Sequence, residues 1–291
     1  MPTDLVLTHL DKVFWPEEGY TKGDLIEYYR NISPYILPYL VDRPESLNRF
    51  PNGITGVHFF HKDLDPPLPP WLTIELIGET HYMVIQDERH LLYAINMGCI
   101  ELNPFLSRCE SVDKPDYMVI DLDPQGQPYD KVCEIALAFH ELLDAAKIPN
   151  YSKTSGSRGM HICVPLKAQY TFDQSKTFAQ LICQLINKQY PELTSMERKP
   201  AKRTKQIYLD YLQNRIHQTL AAPYCVRPKP GATVSTPLTW EEVAKSVDPT
   251  VWTMRTIFKR LDKVGDLWKP VLGKGINLEA CLKRLEKLHQ E

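Results

Sequence analysis

Tyr117-Met118-Val119-Ile120-Asp121-Leu122-Asp123-Pro124 is the stretch from which the rest of this chain can be read. An apolar run rich in β-branched residues predicts a buried strand. Successive strand side chains point to opposite faces, so Asp121 and Asp123 project from one face at the strand's end. Two carboxylates held close in an apolar setting repel each other unless a cation lies between them. Oxygen donors of this kind suit Mg²⁺ and Mn²⁺. Pro124 then stops the ladder. The plainer alternative is a strand that runs out into a polar turn, so the pair needs partners elsewhere in the chain.

Three later stretches offer them. Gln206-Ile207-Tyr208-Leu209-Asp210-Tyr211-Leu212 is a short apolar strand with an acid in its middle. A buried carboxylate needs a cation. Asp210 either joins Asp121 and Asp123 in a three-carboxylate site suited to two divalent ions, or pairs with Arg203 or Lys205. Lys153-Thr154-Ser155-Gly156-Ser157-Arg158-Gly159-Met160-His161 is a glycine–serine loop whose backbone N–H groups suit an anion. It departs from both the P-loop and the G-x-G-x-x-G pattern. Arg158 in the loop and His161 at the start of the next strand are candidate phosphate donors. Finally, prolines between Ala221 and Gly231 hold an extended segment that aims Arg227 and Lys229 to one side, as a metal–triphosphate complex requires.

The chain has 291 residues, enough for one large domain or two small ones, with the 43% apolar and 24% charged composition of a soluble globular protein. A net charge of −2 is unusual for a nucleic-acid binder, although charge can be segregated, and 198–205 is a dense basic run. Seven cysteines with no C-x-x-C pair argue against a disulfide framework and for a reducing cytosol. Cys133, Cys183 and Cys281 fall on apolar helical faces and are expected in the core. No apolar run approaches the ~20 residues of a membrane span, and the N-terminus lacks a signal pattern. A cytoplasmic, nucleoid-associated location is expected.

Taken in order, Thr21 reads as the N-cap of a helix over 22–35, with Asp24 completing a capping box. Lys12 and Lys22 flank that entry, where helix-start N–H groups favour an anion. Phe59 and Phe60, between His and Lys on a segment bounded by proline-rich turns, suit either base stacking or plain packing. Residues 72–76, 83–86 and 91–95 read as short strands, and 96–101 as a short helix. Amphipathic helices are expected over 129–147 and 173–189. Further helices are expected over 239–243 and 249–261, with a closing helix carrying Leu278, Leu282, Leu285 and Leu288.

Asp-Leu-Asp-Pro (121–124), Ser-Gly-Ser-Arg-Gly-Met-His (155–161), Tyr-Leu-Asp-Tyr-Leu (208–212) and the run from Ala222 to Glu242, in this order, closely resemble the polymerase domain of bacterial ligase D. That domain belongs to the archaeo-eukaryotic primase superfamily. The likeness covers nearly the whole chain, from Leu10-Asp11-Lys12-Val13-Phe14-Trp15-Pro16 to the closing helices. It implies an α+β, primase-polymerase-like fold with two mixed or antiparallel β layers around a carboxylate metal site and flanking helices. It implies a single domain over 1–291: a DNA-end and template-binding part at 1–110, a catalytic core at 111–240 and a helical part at 241–291. The implied activity is template-directed nucleotidyl transfer favouring ribonucleotides, as primer extension and gap filling at double-strand break ends in non-homologous end joining.

By the same resemblance, Asp121, Asp123 and Asp210 are the catalytic ligands of two Mn²⁺ or Mg²⁺ ions. Ser155, Arg158, His161, Thr219 and Arg227 hold the incoming nucleotide, with Lys229 beside them. Lys12 and Lys22 match a pocket for the downstream 5′-phosphate of a gap. Arg49 lies in an Arg-Phe-Pro-Asn-Gly motif beside the active site, Phe59 and Phe60 match aromatics at the template bend, and Arg203 matches a residue near the primer terminus. The implied partners are DNA ends and gapped duplex with a 5′-phosphate, NTP or dNTP, Ku, and a DNA ligase on the same or a separate chain, with no membrane. Lys229 stands where several relatives have Arg, and Asn48 and Gln213 where some carry a basic residue. No K-x-D-G ligase motif occurs. Two alternatives remain: a Mn-dependent D-x-D glycosyltransferase, which gives Asp210 no role, and a non-catalytic DNA-end-binding adaptor.

Overall fold

A computed structural model describes residues 5–199, 202–203 and 205–290. Pro200, Ala201 and Thr204 of the basic run lie outside the described residues. The elements begin with β1 (Val13–Trp15), β2 (Tyr20–Thr21), α1 (Lys22–Ile36), β3 (Glu45–Arg49), β4 (Phe59–His61), β5 (Ile74–Ile77), β6 (Thr80–Met83), α2 (Glu88–Asn96) and β7 (Cys99–Pro104). Next come β8 (Tyr117–Asp123), α3 (Tyr129–Ala145), β9 (Tyr151–Thr154), β10 (Met160–Pro165), α4 (Phe172–Gln189), β11 (Thr194–Ser195) and β12 (Ile207–Asp210). The chain ends with β13 (Pro237–Leu238), α5 (Trp240–Ala244), α6 (Ile257–Val264) and α7 (Leu278–Gln290). The class is α+β, as expected. No described helix is long and apolar enough to cross a membrane.

The chain divides into two units. The first takes residues up to 110 together with 219–236 and 250–265; the second takes 111–218, 237–249 and the residues from 266 onward. The expected 111–240 segment therefore contributes to both.

In the first unit, α1 starts where the sequence places it. The Thr21 side chain accepts from Asp24 N–H and the Asp24 carboxylate accepts from Thr21 N–H, a complete capping box. Leu25, Tyr29, Ile32 and Ile36 recur at helical spacing and are fully buried. β3 lies between β4 and β7 in an antiparallel sheet, with Asn48 opposite Glu101. β5 and β6 form a hairpin. Several expectations fail here. The strand expected over 83–86 lies earlier, as β6, and ends at Met83. Residues 91–95 belong to helix α2, not a strand: Asp87 caps it by accepting from His90 N–H, and Leu91, Leu92, Ala94 and Ile95 are buried along it. Residues 96–101 do not continue as a helix. Gly98, at φ +83°, turns the chain into the buried strand β7. The 249–261 helix is also shorter than expected, with a single 3₁₀ turn at Pro249–Val251 and α6 beginning at Ile257.

The second unit is built on a six-stranded sheet in the order β11-β12-β8-β10-β9-β13. All pairings are antiparallel except β11 with β12. β8 lies inside this sheet, so both of its edges are paired, and Met118, Val119, Ile120 and Leu122 have no exposed surface. Where β12 ends, the Asn214 side chain takes over, accepting from Val119 N–H and donating to Val119 C=O. Helices α3 and α4 pack against β8, and α3 also packs against β10. Cys133, Cys183 and Cys281 are buried, as their helical positions predict.

Candidate active site

Strand register assembles the acidic group of the second unit. Asp210 on β12 stands directly opposite Asp121 on β8. His161 on β10 stands opposite Asp121 from the other side. Lys153 on β9 is in turn opposite His161. Directly opposed residues of antiparallel strands share a face, so Asp210, Asp121, His161 and Lys153 form one row across four strands. Asp123, two residues along β8, lies on that face too, opposite Tyr208. His161 Nε2 is 3.5 Å from Asp121 Oδ1, with the ring buried. Sequence reading gave no role to Lys153, although it is 1% exposed. A buried lysine on an acidic face is a signal only register can reveal.

The carboxylates have distinct surroundings. Asp210 accepts from Leu212 N–H at 2.8 Å and from Gln213 Nε2 at 3.4 Å. Burial raises its pKa, against the lowering effect of the Leu212 hydrogen bond and of Arg203 and Arg215. Arg203 is not its ion-pair partner: its guanidinium lies over the Tyr208 ring, 3.4 Å from the centroid, and donates to the carbonyls of Glu197 and Arg198. Burial, with Asp210 next, pushes the Tyr208 phenol up to about 12. Asp123 accepts from Gln125 Nε2. So placed, the described residues hold no group of three or more His, Cys, Asp or Glu side chains gathered for an ion. The donors nevertheless fit a hard divalent cation in chemistry, being carboxylate oxygens on one face of adjacent strands.

The loop from β9 to β10 closes on itself. Ser155 Oγ accepts from the N–H groups of Ser157 and Gly159, Ser155 N–H donates to Gly159 C=O, and Gly156 N–H donates to Thr154 Oγ1. Those amides turn inward rather than lining an anion site, while the Arg158 side chain is exposed. Gly159 is required by proximity: a Cβ there would lie 2.4 Å from Leu122 C=O, between the two β8 aspartates.

In the first unit, Lys22 Nζ donates to Thr8 C=O at 2.6 Å and to Asn96 Oδ1 at 2.8 Å, and Lys12 Nζ to Asn52 Oδ1 at 2.6 Å. Burial, then the positive charge of Lys12, lowers the Lys22 pKa, so two cations share this corner. Arg49 donates to Met97 C=O, lies 3.1 Å from His61 Nδ1, and faces the Phe59 ring at 5.2 Å. Phe59 and Phe60 are 43% and 56% exposed, which is the exposure that stacking on a base requires. Thr219 bridges to Phe105. Arg227 Nε–H donates to Glu101 Oε2 at 2.8 Å, a partner that sequence reading missed. Lys229 is exposed, and its carbonyl accepts from the Trp15 indole.

Residues 21–268 match the family described as "LigD, primase-polymerase domain". The chain is 32% identical over 263 residues to the bifunctional non-homologous end joining protein LigD of Bacillus subtilis, covering 90% of this chain and 43% of that protein. It is 32% identical over 274 residues to the multifunctional LigD of Mycolicibacterium smegmatis, covering 91% and 36%. The chain thus spans less than half the length of these relatives. Among solved structures, the polymerase domain from Mycobacterium tuberculosis ligase D in complex with DNA aligns with TM-score 0.84 and 26% identity, over 94% of this chain and 99% of that one.

Proposed function

The chain belongs to the LigD primase-polymerase family, and from that premise we propose that it is a nucleotidyltransferase that extends a primer on a DNA template at double-strand break ends. The glycosyltransferase alternative falls with this membership. The observation that carries the reading is the register that sets Asp210 opposite Asp121, with Asp123 on the same face of β8. Asp121, Asp123 and Asp210 are the residues that would hold Mn²⁺ or Mg²⁺. Held there, such ions would supply Lewis-acid activation of the primer 3′-hydroxyl and charge stabilisation at the departing pyrophosphate. The protein's own groups orient and neutralise. His161, whose Nε2 lies 3.5 Å from Asp121 Oδ1, is assigned as donor to a phosphate oxygen of the nucleotide. Arg227 and Lys229 offset the charge that grows on the triphosphate in the transition state. Ser155 and Thr219 are the candidates for reading the ribose and Arg158 for a phosphate, with ribonucleotides favoured.

Lys12 and Lys22 are assigned to the 5′-phosphate on the far side of a gap, Phe59 and Phe60 to template bases, and Arg49 and Arg203 to the primer–template. Ku and a DNA ligase, on the same or a separate chain, are the proposed partners.

The test is nucleotide addition to a gapped duplex with and without the 5′-phosphate, with ribo- and deoxyribonucleotides side by side. Asp123→Ala is expected to reduce addition about a thousandfold, the loss of a group that organises transition-state charge. Near-normal extension by that variant would refute the reading in favour of the DNA-end adaptor.

A further inference from the structure

We propose that Glu101 is a positioning residue for the nucleotide: it aims the Arg227 guanidinium at the triphosphate. This rests on the polymerase reading and deepens it. Arg227 follows the bridge between Val226 and Val234, and its N–H donates to Thr233 C=O at 2.7 Å. Its side chain is 18% exposed, and its Nε–H meets the Glu101 carboxylate, itself 6% exposed, at 2.8 Å. A guanidinium is planar, with its donors in a rigid fork. Holding Nε therefore fixes both the plane of the group and the direction of its two terminal nitrogens. Glu101 is rigidly placed for this task. It sits inside β7, opposite Asn48 of β3, in a strand with every residue buried.

The backbone that carries Arg227 is anchored by other groups. The Trp15 indole donates to Lys229 C=O at 2.8 Å, and the Glu18 carboxylate accepts from Gly231 N–H. Lys229 N–H donates to Arg227 C=O at 2.7 Å, closing a tight turn. Loss of Glu101 thus removes the carboxylate that meets Arg227 Nε–H while the segment keeps its path. A carboxylate buried beside an arginine could instead serve stability alone. The two roles differ in what they move: a structural pair changes the melting temperature, whereas a positioning pair changes nucleotide KM.

The experiment measures single-nucleotide addition to a gapped duplex as a function of nucleotide concentration. Glu101→Ala is expected to raise KM about tenfold, as loss of one charge-assisted hydrogen bond implies, with a smaller change in kcat. Glu101→Gln, whose amide oxygen still accepts the Nε–H, is expected to restore most of that loss. Adding Glu101→Ala to Arg227→Ala should cost nothing further, because the carboxylate then has nothing to aim. A wild-type KM in Glu101→Ala, or a Glu101 effect that persists in full without Arg227, overturns the inference. If the alanine variant fails to fold, Glu101→Asp withdraws the carboxylate by one methylene at constant charge. A raised KM then supports the assignment and an unchanged KM refutes it. If the wild-type chain adds no nucleotide at all, the polymerase reading fails and takes this inference with it; active wild type with unaltered variants refutes Glu101 alone.

Discussion

Glu45 opens β3 with no exposed surface, and neither of its carboxylate oxygens has a hydrogen-bond partner among the described residues. Burial drives its pKa well above the usual carboxylate range, and the nearby Arg43 cation opposes the shift only in part. A carboxyl raised on folding binds more protons in the native than in the unfolded chain. Its contribution is therefore fully present below the ordinary carboxylate value and is lost as pH rises through the folded value. Glu45→Gln should be more stable than wild type at pH 8 by about 1 kcal/mol or more, the usual cost of an uncompensated buried polar group. It should gain less at pH 5. Urea midpoints at the two pH values decide this; a gain that does not grow with pH would mean Glu45 is ionised and compensated. The residues of the acidic row divide in the same way between what spacing shows and what it hides. Asp121 and Asp123 are two apart on an apolar strand, and alternation alone puts them on one face. That Asp210 faces Asp121 depends on how β12 is registered against β8. The Arg227–Glu101 pair joins positions 126 apart, which local pattern cannot connect.

The start of α1 was legible in the sequence because capping is local chemistry. Thr171 repeats at α4 what Thr21 does at α1: its hydroxyl accepts from Gln174 N–H, and the Gln174 side chain accepts from Thr171 N–H. Helix α4 packs on β8, so its stability bears on the strand that carries Asp121 and Asp123. Thr171→Ala should cost about 1 kcal/mol, the usual value of an N-cap, seen as a lower urea midpoint with an unchanged slope. A variant as stable as wild type would show that tertiary packing alone holds that end. Residues 91–95 form a short apolar run, and such a run carries no clear period of 2 or 3.6. The signal that separates the cases lay just upstream, where Asp87 precedes Glu88 and caps α2 through His90 N–H. β7 was hidden for another reason: its apolar–polar alternation spans only Ile100 to Asn103, and its polar residues are buried along with the apolar ones.

Across the whole chain, 34 basic side chains face 36 acidic ones, a net charge of −2. Such a molecule gains little from a general field, so the DNA binding proposed for it would draw on a few placed cations and exposed rings. These two kinds of contact respond differently to salt. Each phosphate neutralised by a lysine or arginine releases condensed counterion, and log K falls against log salt with a slope of about −0.9 per contact on duplex DNA. Stacking of a base on a ring contributes about 1–3 kcal/mol and displaces no counterion. With a 5′-phosphorylated gapped duplex titrated by fluorescence anisotropy between 50 and 200 mM salt, Lys12→Gln should therefore flatten the slope by roughly one unit. Without the 5′-phosphate, the same substitution should leave the slope near the wild-type value, because Lys12 then has no phosphate to neutralise. Phe59→Ala should lower affinity at every salt concentration by a constant factor, at unchanged slope. A Lys12 effect that ignores the 5′-phosphate would remove that residue from the gap pocket. A Phe59 effect that vanishes at high salt would mean the ring acts by holding the Arg49 guanidinium, 5.2 Å from its centroid, and not by stacking on a base.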